Sequence, residues 1–164
     1  MNSDALPFVS VIVPVFNDQA GIDKCLEALT TQSYAQNRYE IIVVDNNSEP
    51  PIYLKSKANF HVQLVRCGTA GSYAARNKGI ADSSGEILAF TDADCVPNSE
   101  WIKKGVTTLL DGGSNCVVGG EVLFAAPKSK RATELYQFVV GFLQKENINE
   151  RQFTATANLF TYRS

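Results

Sequence analysis

The chain has 164 residues, a formal net charge of −2 and 45% hydrophobic residues, a composition typical of one globular domain with a substantial core. No stretch is strongly basic, which argues against nucleic acid as a partner, and no apolar run approaches the length that spans a bilayer. The four cysteines show neither C-x-x-C nor any other metal-ligand spacing, so we expect free thiols and a cytoplasmic location.

The first part of the chain predicts a strand, a helix and a second strand. Residues 8–15 are almost all apolar or β-branched, as in a strand that is covered on both faces. The turn at Phe16 to Asp18 can cap a helix whose apolar residues follow helical spacing: Ile22, Cys25, Leu26 and Leu29. A second buried strand over 41–44 then ends in polar residues. This alternation predicts a parallel sheet with helical crossovers.

The rest of the chain continues the alternation within one domain, 1–164, whose residues 1–7 are expected to form a disordered leader. A short peripheral strand over 62–65 precedes a helix that opens at Gly71-Ser72 and runs to about Ser83. A buried strand over 87–90 follows. Ser99 is expected to cap the next helix, with an apolar face formed by Ile102, Gly105, Val106, Leu109 and Leu110. The remaining elements are strands over 116–118 and 157–162, with an amphipathic helix over 135–142 between them.

Polar clusters follow the predicted strands at 14–17, 45–48, 71–79 and 92–94. The carboxyl ends of parallel strands meet at one edge of a sheet, where α/β proteins bind their ligands, so we expect these clusters to share a crevice. The closely spaced carboxylates of Asp92 and Asp94 need a cation or a shared proton, and a divalent ion that carries phosphate oxygens suits them. The alternative is a polar turn without a ligand.

Two further residues of these clusters have both a binding and a structural interpretation. Asp45, at a strand end, suits a hydrogen bond from a nucleobase N–H or a ribose hydroxyl, or alternatively the capping of a turn. Arg76 lies in the first turns of a helix whose N-terminus faces the crevice, where phosphates bind. It could equally pair with Asp45 or Asp92 as a structural contact.

Four motifs together resemble a known family. They are Pro14-Val15-Phe16-Asn17, Val43-Val44-Asp45-Asn46-Asn47-Ser48, Gly71-x-x-x-Ala75-Arg76-Asn77-x-Gly79 and Asp92-Ala93-Asp94. Their order and spacing are similar to those of the inverting family-two glycosyltransferases of the GT-A fold, and Gly119-Gly120 and the strand containing Asn158 resemble later landmarks of that family. The resemblance implies an α/β fold, a Rossmann-like three-layer α/β/α sandwich around a mostly parallel sheet.

The same resemblance implies a donor site for a nucleoside-diphosphate sugar, a UDP-sugar first of all, and transfer with inversion. It places Mn²⁺ or Mg²⁺ on Asp94 and Asp92, with Asp92 also facing the ribose. The further donor-binding residues that it implies are Pro14, Val15, Asn17, Asp45, Arg76, Gly119 and Gly120. The implied acceptor is a saccharide or a lipid-linked molecule, reached from the cytoplasm at the inner face of a membrane.

The chain departs from the family in one respect. The family's general base is an aspartate in an acidic motif after the strand found here at 158–162, and no Asp or Glu follows Glu150. The base is therefore expected beyond Ser164, the last residue of the chain. We expect a domain truncated at its C-terminus, which holds the donor site, lacks the catalytic base and transfers sugar poorly or not at all.

Other classes of function are also open to test. Asp92-x-Asp94-x-Val96 matches the opening motif of haloacid-dehalogenase-type phosphatases, but the later acidic pair of that class is missing, since Asp111 is the only aspartate after Val96. An oxidoreductase would need G-x-G-x-x-G after the first strand. A nucleotide-binding module without transfer activity is the non-enzymatic alternative. The cations before the 135–142 helix suggest a peripheral membrane contact, and an uncovered apolar face there would promote homo-oligomers.

Overall fold

A computed structural model describes residues 6–55, 61–124, 147–148, 150 and 153–163. Within these ranges the strands are β1 (Val9–Val15), β2 (Tyr39–Asp45), β3 (Val62–Arg66), β4 (Ile87–Thr91), β5 (Val117–Gly119) and β6 (Asn158–Tyr162). The helices are α1 (Gln19–Leu29), α2 (Ser72–Asp82) and α3 (Trp101–Gly112), and a short 3₁₀ turn spans Gln36–Arg38. The predicted helix over 135–142 and the cations before it lie outside the described residues, as does Ser164.

The six strands form one sheet in the order β3-β2-β1-β4-β6-β5. Strands β3, β2, β1 and β4 are mutually parallel, and β6 pairs antiparallel with both β4 and β5. Because successive strands are added first on one side of β1 and then on the other, the strand order reverses beside β1. The mostly parallel sheet predicted from the sequence is confirmed, and β3 lies at its edge as expected.

Helices cover both faces of the sheet. One face of β1, formed by Val9, Val11, Val13 and Val15, packs with the apolar residues of α1 and α3 in the main core cluster. The opposite face of the sheet packs against α2 through Ala75 and Ile80. A Cβ atom at Gly79 would lie 2.6 Å from Cγ2 of Ile12, so α2 approaches the sheet closely at this glycine. The predicted three-layer α/β/α arrangement is therefore confirmed.

Two local predictions about α3 are wrong. Ser99 does not cap α3; instead the buried side chain of Gln32 accepts a hydrogen bond from the Ile102 backbone N–H at 3.1 Å. Leu110 is exposed rather than part of the apolar face, because Leu109 takes the buried position in the last turn. The caps of α1 by Asp18 and of α2 by Gly71 are as expected.

The predicted leader over 1–7 is ordered at its last two residues. The hydroxyl of Tyr34 donates to the carbonyl of Pro7 at 2.7 Å, and the guanidinium of Arg38 donates to the carbonyl of Leu6. Leu6 also packs against the main core. These contacts attach the start of β1 to the segment that precedes β2.

Candidate donor-binding cleft

A cleft of about 900 Å³ opens at the carboxyl ends of the parallel strands, where the strand order reverses. All four predicted polar clusters contribute to its wall, as the parallel arrangement of the strands requires. The lining residues are Pro14, Val15, Phe16, Asn17, Asp18, Asn46, Asn47, Glu49, Gly68, Ala70, Gly71, Ser72, Arg76, Asp92, Ala93 and Asp94. The structure thus brings together six of the residues singled out from the sequence: Pro14, Val15, Asn17, Arg76, Asp92 and Asp94.

Asn17 holds the β1 and β2 sides of the cleft together. Its backbone, in the left-handed region with φ of 53°, donates from N–H to Oγ of Ser48 at 2.9 Å. Its side-chain oxygen accepts a hydrogen bond from the Glu49 backbone N–H at 2.8 Å. Asparagine tolerates this backbone conformation better than most residues, which explains why it follows β1 here. The side-chain amide of Asn17 therefore already has a structural partner.

Asp45 lies at the same sheet edge but behind the cleft surface. It is only 2% exposed, and its carboxylate accepts hydrogen bonds from the backbone N–H groups of Ser48 at 2.9 Å and Ile52 at 3.4 Å. The structure thus gives Asp45 the turn-capping role, the alternative that its sequence position left open. Its contact with a nucleotide stays a prediction.

Asp92 and Arg76 form an ion pair inside the cleft. Nη2 of Arg76 donates to Oδ1 of Asp92 at 2.6 Å, which connects α2 to the carboxyl end of β4. Nε of Arg76 is buried and has no hydrogen-bond partner in the described structure. A guanidinium has five N–H donors, so this arginine retains hydrogen-bonding capacity that the protein does not use. A phosphate or a base oxygen would satisfy such donors.

Of the two carboxylates after β4, Asp94 is the more exposed. In the described part of the chain its side chain accepts one weak contact, from Sγ of Cys95 at 3.9 Å. No group of three potential His, Cys, Asp or Glu ligands is found among the described residues. Mg²⁺ and similar hard ions commonly bind through one or two carboxylates, with substrate phosphates and water completing the coordination. The carboxylate of Asp94 and the Oδ2 atom of Asp92, which does not bind Arg76, fit this kind of site.

Asp92, Ala93 and Asp94 form an acidic turn after β4. The buried thiol of Cys25 contacts this acidic turn. Its Sγ is 3.7 Å from the carbonyl oxygen of Asp92, which also accepts the Cys95 backbone N–H at 3.0 Å. Burial raises the pKa of the Cys25 thiol to about 12, and the neighbouring Cys95 and Asp94 contribute to this rise. Burial likewise raises the pKa of Cys95. Both sulfurs are therefore protonated at neutral pH, as expected for cysteines that fill space rather than react.

Gly119 and Gly120 lie at the carboxyl end of β5, level with the carboxyl end of β4, and do not line the cleft. A Cβ at Gly119 would be 2.1 Å from Oγ1 of Thr154, and one at Gly120 would be 2.2 Å from Nδ2 of Asn158. The Asn158 side chain accepts from Nε1 of Trp101 at 2.8 Å and donates to the carbonyl of Glu121 at 2.9 Å. The glycines therefore allow the β5 end to pack closely on the start of β6, and their donor-binding role stays a prediction.

The expected position of the catalytic base lies outside the described residues. The described residues end at Arg163, and Ser164, beyond which the base is expected, is not among them. No Asp or Glu follows Glu150 in the sequence. The location of the base after Ser164 therefore stays a prediction.

Asn46 is a lining residue that sequence reasoning did not single out. It is 8% exposed, and it contacts the 67–71 loop through both ends of its amide. The only sequence signal for it was its place directly after a buried strand, inside the Val43 to Ser48 motif.

The sequence matches the family described as "Glycosyl transferase family 2" over residues 10–162. The chain belongs to this family. Among curated proteins it is 42% identical to "Glycosyltransferase AglE" of Haloferax volcanii, in an alignment that covers 96% of this chain and 53% of that protein. It is also 29% identical to a dolichyl N-acetylglucosaminyl phosphate diacetamidodideoxyglucuronosyltransferase of Methanococcus voltae, over 62% of this chain and 33% of that protein. This family-2 chain spans about half the length, or less, of these relatives.

Solved structures show the same fold. The mannosyltransferase PcManGT of Pyrobaculum calidifontis, in complex with GDP-Man and Mn²⁺, superposes with a TM-score of 0.70 and 22% identity, covering 98% of this chain and 46% of that one. S. aureus TarS 1–349 in complex with UDP-GlcNAc gives a TM-score of 0.54 and 23% identity, over 72% of this chain and 37% of that one. The GT-A fold expected from the sequence is therefore confirmed.

The family match also bears on two other expectations. It does not favour the phosphatase alternative, in which Asp92 would act as a nucleophile. None of the helices in the described ranges combines the length and the apolarity that a membrane span requires.

Proposed function

We propose that this chain forms the donor site of a glycosyltransferase that transfers a sugar from a nucleoside-diphosphate sugar with inversion and with the aid of Mn²⁺ or Mg²⁺. The observation that carries the proposal is the arrangement of Asp94, Asp92 and Arg76 at the reversal point of the sheet. Two carboxylates and one guanidinium with unused donors provide what a metal-bound diphosphate needs: oxygen ligands for the cation and N–H donors for anionic oxygens. The family membership of the chain supports the same reaction class.

Each residue has a proposed role. Asp94 holds the metal ion, and Asp92 is oriented by Arg76 so that its remaining oxygen faces the ribose or the ion. The cation, when bound, stabilises the negative charge that grows on the departing nucleoside diphosphate. The N-terminus of α2, which follows its cap residue Gly71 in the cleft wall, adds the positive end of a helix dipole to the anionic ligand. Pro14, Val15 and Asn17 form the floor beneath the nucleotide.

The proposal assigns no catalytic base to this chain. Inversion requires a base near the acceptor hydroxyl, on the side of the sugar opposite the diphosphate. By the resemblance to the family, we propose that this carboxylate follows the strand that ends at Tyr162 and lies beyond Ser164. The acceptor, a saccharide or a lipid-linked molecule reached from the cytoplasmic side of a membrane, is likewise proposed from the family resemblance alone.

The nucleotide is proposed to be a uridine diphosphate in the first instance. The solved relatives bind different donors, since PcManGT is in complex with GDP-Man and TarS with UDP-GlcNAc. The contact of Asp45 with the base is proposed beside its turn-capping role, and the nucleotide panel measures which base is preferred.

A thermal-shift panel tests the proposal. UDP, GDP, dTDP and CDP are added with and without Mn²⁺ to the wild type and to the Asp94→Ala variant. A ligand at 100 times its Kd stabilises the native state by about 2.7 kcal/mol, which for a chain of this size raises the Tm by about 5–10 °C. We expect such a shift with at least one nucleotide in the wild type, and its metal-dependent part should be lost in Asp94→Ala.

The matched control is Asp111→Ala, which removes an exposed carboxylate from the end of α3, outside the cleft. This variant should keep the full shift. Absence of any nucleotide effect on the wild type would contradict the proposed donor site. A transfer assay with radiolabelled donor, run on the same sample, tests the expectation that this chain transfers sugar poorly or not at all, and normal turnover would overturn the placement of the base beyond Ser164.

A further inference from the structure

Asn46 connects the end of β2 to the loop that precedes α2. Its Nδ2 donates to the carbonyl oxygens of Thr69 at 2.6 Å and Cys67 at 3.3 Å, and its Oδ1 accepts the backbone N–H of Gly71 at 2.9 Å. One buried amide thus uses both of its donors and its acceptor on a single loop. The sequence separations of 21 to 25 residues make these tertiary contacts rather than a local turn.

The 67–71 loop forms the wall of the cleft on the β2–β3 side. Gly68, Ala70 and Gly71 of this loop line the cleft. Its two ends are held by backbone hydrogen bonds, from Cys67 N–H to the Asp45 carbonyl at 2.8 Å and from Ala75 N–H to the Gly71 carbonyl at 3.2 Å. The Cys67 side chain also packs in the core beneath α2. Between the two ends, the hydrogen bonds in the described structure are those from Asn46 and a weak one, from Sγ of Cys67 to the Thr69 carbonyl at 3.5 Å. The conformation of this wall therefore depends on Asn46.

The position of this wall relative to the acidic turn indicates which part of a ligand it would meet. Asn46 follows β2 and Asp94 follows β4, with β1 between them. At a strand spacing of about 4.8 Å, the two strand ends are roughly 10 Å apart. The cleft lining continues from Asp94 to this side and includes no residue of β5 or β6. A nucleotide whose diphosphate is held at Asp94 therefore extends its ribose and base toward the β2–β3 side.

From this geometry we infer that Asn46 is a positioning residue for nucleotide recognition: it holds the 67–71 loop in the shape that contacts the base and ribose. The inference rests on the proposed function and deepens it. Asn46 acts through the loop backbone, because its donors and its acceptor are already used by protein groups. Its loss should weaken the part of binding that does not depend on metal, and Asp94 should govern the part that does.

Asn46→Asp tests the inference with a minimal change of shape. The carboxylate can still accept from Gly71, but it places negative oxygen against the carbonyls of Thr69 and Cys67, to which the amide donates. Calorimetric titration should show the Kd for UMP or GMP without metal rising about tenfold, as expected from the loss of two hydrogen bonds of ordinary strength. The Kd for the corresponding diphosphate with Mn²⁺ should rise by a similar factor. Asp94→Ala should act on the metal-dependent part instead, so that Mn²⁺ no longer lowers the Kd for the diphosphate.

Gln32→Glu is the matched control. Gln32 is also a buried amide, 7% exposed, which donates twice, to the carbonyls of Ala28 at 3.1 Å and Asn98 at 2.8 Å, and accepts once, from Ile102 N–H. It connects α1 to α3 and does not line the cleft. Gln32→Glu should lower the unfolding temperature and leave the Kd for the monophosphate unchanged. Equal Kd values for the wild type and Asn46→Asp would overturn the inference.

The outcomes separate the inference from the function on which it rests. If the wild type binds none of the nucleotides, the proposed function fails and the inference fails with it. If the wild type binds and Asn46→Asp binds equally well, the inference alone fails. Should Asn46→Asp not fold, Asn46→Ser decides by the same tenfold criterion, because a single hydroxyl cannot donate to both the Thr69 and the Cys67 carbonyls.

Discussion

Arg76 and Asp92 meet inside the cleft, with Nη2 of the arginine 2.6 Å from Oδ1 of the carboxylate. The contact joins the second turn of α2 to the residue that follows β4, the strand to which α2 leads. The side chains are 16% and 35% exposed, respectively, so the pair is only partly shielded from solvent. Its structural contribution is therefore expected to be small, and its main consequence is the orientation of Asp92 within the acidic turn.

Arg76→Lys should separate ligand binding from stability. Lysine keeps the charge but lacks the planar fork and the Nε donor, which is buried and unpaired in the described structure. We expect nucleotide affinity to fall about tenfold, the effect of one lost hydrogen bond to a charged group, while the free energy of unfolding changes by about 1 kcal/mol or less. Titration calorimetry and urea unfolding measure the two quantities.

The control for this change is Lys78→Ala on the same helix. Lys78 pairs with Asp82 at 2.8 Å, one turn further along α2 and outside the cleft. Nucleotide affinity should not change in this variant. If Arg76→Lys also binds with wild-type affinity, the guanidinium has no role in the ligand site.

Gly21→Ala should disturb the acidic turn from below. A Cβ at Gly21 would lie 2.1 Å from Oδ2 of Asp18 and 3.0 Å from the carbonyl oxygen of Ala93. Asp18 caps α1 through a 2.8 Å hydrogen bond from this same glycine's N–H. Loss of such a cap costs about 1 kcal/mol, which exceeds or cancels the gain in helix propensity from glycine to alanine. We expect lower stability and a smaller Mn²⁺-dependent thermal shift, because Ala93 lies between the two carboxylates.

A double-mutant cycle tests whether the clash with Asp18 causes the loss of stability in Gly21→Ala. In an Asp18→Ala background the clashing side chain is absent, so Gly21→Ala should destabilise the chain less than it does in the wild type. Additive free energies in this cycle would mean that the clash with Asp18 is not the reason for the loss.

Gly105→Ala should overpack the contact between α3 and β6. The added methyl would lie 2.3 Å from Cε2 and Cζ of Phe160, whose ring is buried and packs on Trp101 with a centroid distance of 4.7 Å. A rigid ring between a helix and a sheet cannot move aside easily, so we expect a loss of about 1–3 kcal/mol in unfolding free energy. Gly68→Ala is the control, since no atom lies within 4 Å of its added Cβ. Equal stability of the two variants would contradict this account of the packing.

The sequence predicts those parts of the fold that depend on local pattern. The apolar runs of β1, β2 and β4 and the helical spacing in α1 identify these elements because they are buried on a sheet with helices on both faces. The convergence of Asn17, Arg76 and Asp94 follows from the rule that parallel strands end at one edge. These features need no knowledge of particular long-range contacts.

The remaining features depend on contacts that no local pattern encodes. Gln32 rather than Ser99 supplies the acceptor at the start of α3, across 70 residues of sequence. For Asp45 the sequence offered both a binding role and a turn-capping role, and the hydrogen bonds from the Ser48 and Ile52 backbone N–H groups that show the capping role form only in the folded loop. Asn46, its neighbour, then takes a place in the cleft wall. Adjacent polar residues at a strand end point to opposite sides, and sequence alone does not say which side meets a ligand.

Glu40 lies near the start of β2, at the end of the sheet opposite the cleft. We expect it to make the free energy of unfolding depend on pH. Its Oε1 accepts hydrogen bonds from Oγ of Ser10 at 2.6 Å and from N–H and Oγ of Ser84 at 2.7 and 2.9 Å. Burial acts to raise the pKa of Glu40, but the hydrogen bonds from Ser10 and Ser84 and the charge of Arg163 outweigh it, so the pKa is lowered from its usual value of 4.5. The folded state therefore favours the ionised carboxylate.

The sign of the effect follows from this lowered pKa. Because the unfolded chain binds the proton more tightly, the contribution of Glu40 is fully present above pH 4.5 and is lost as the pH falls below 4.5 through the folded-state pKa. Glu40→Gln, which cannot ionise, should be less stable than the wild type at neutral pH, and the difference should shrink in acid. Urea unfolding at pH values between about 3 and 7 measures this difference. A pH-independent difference between the wild type and Glu40→Gln would show that the charge of Glu40 is not what its hydrogen bonds stabilise.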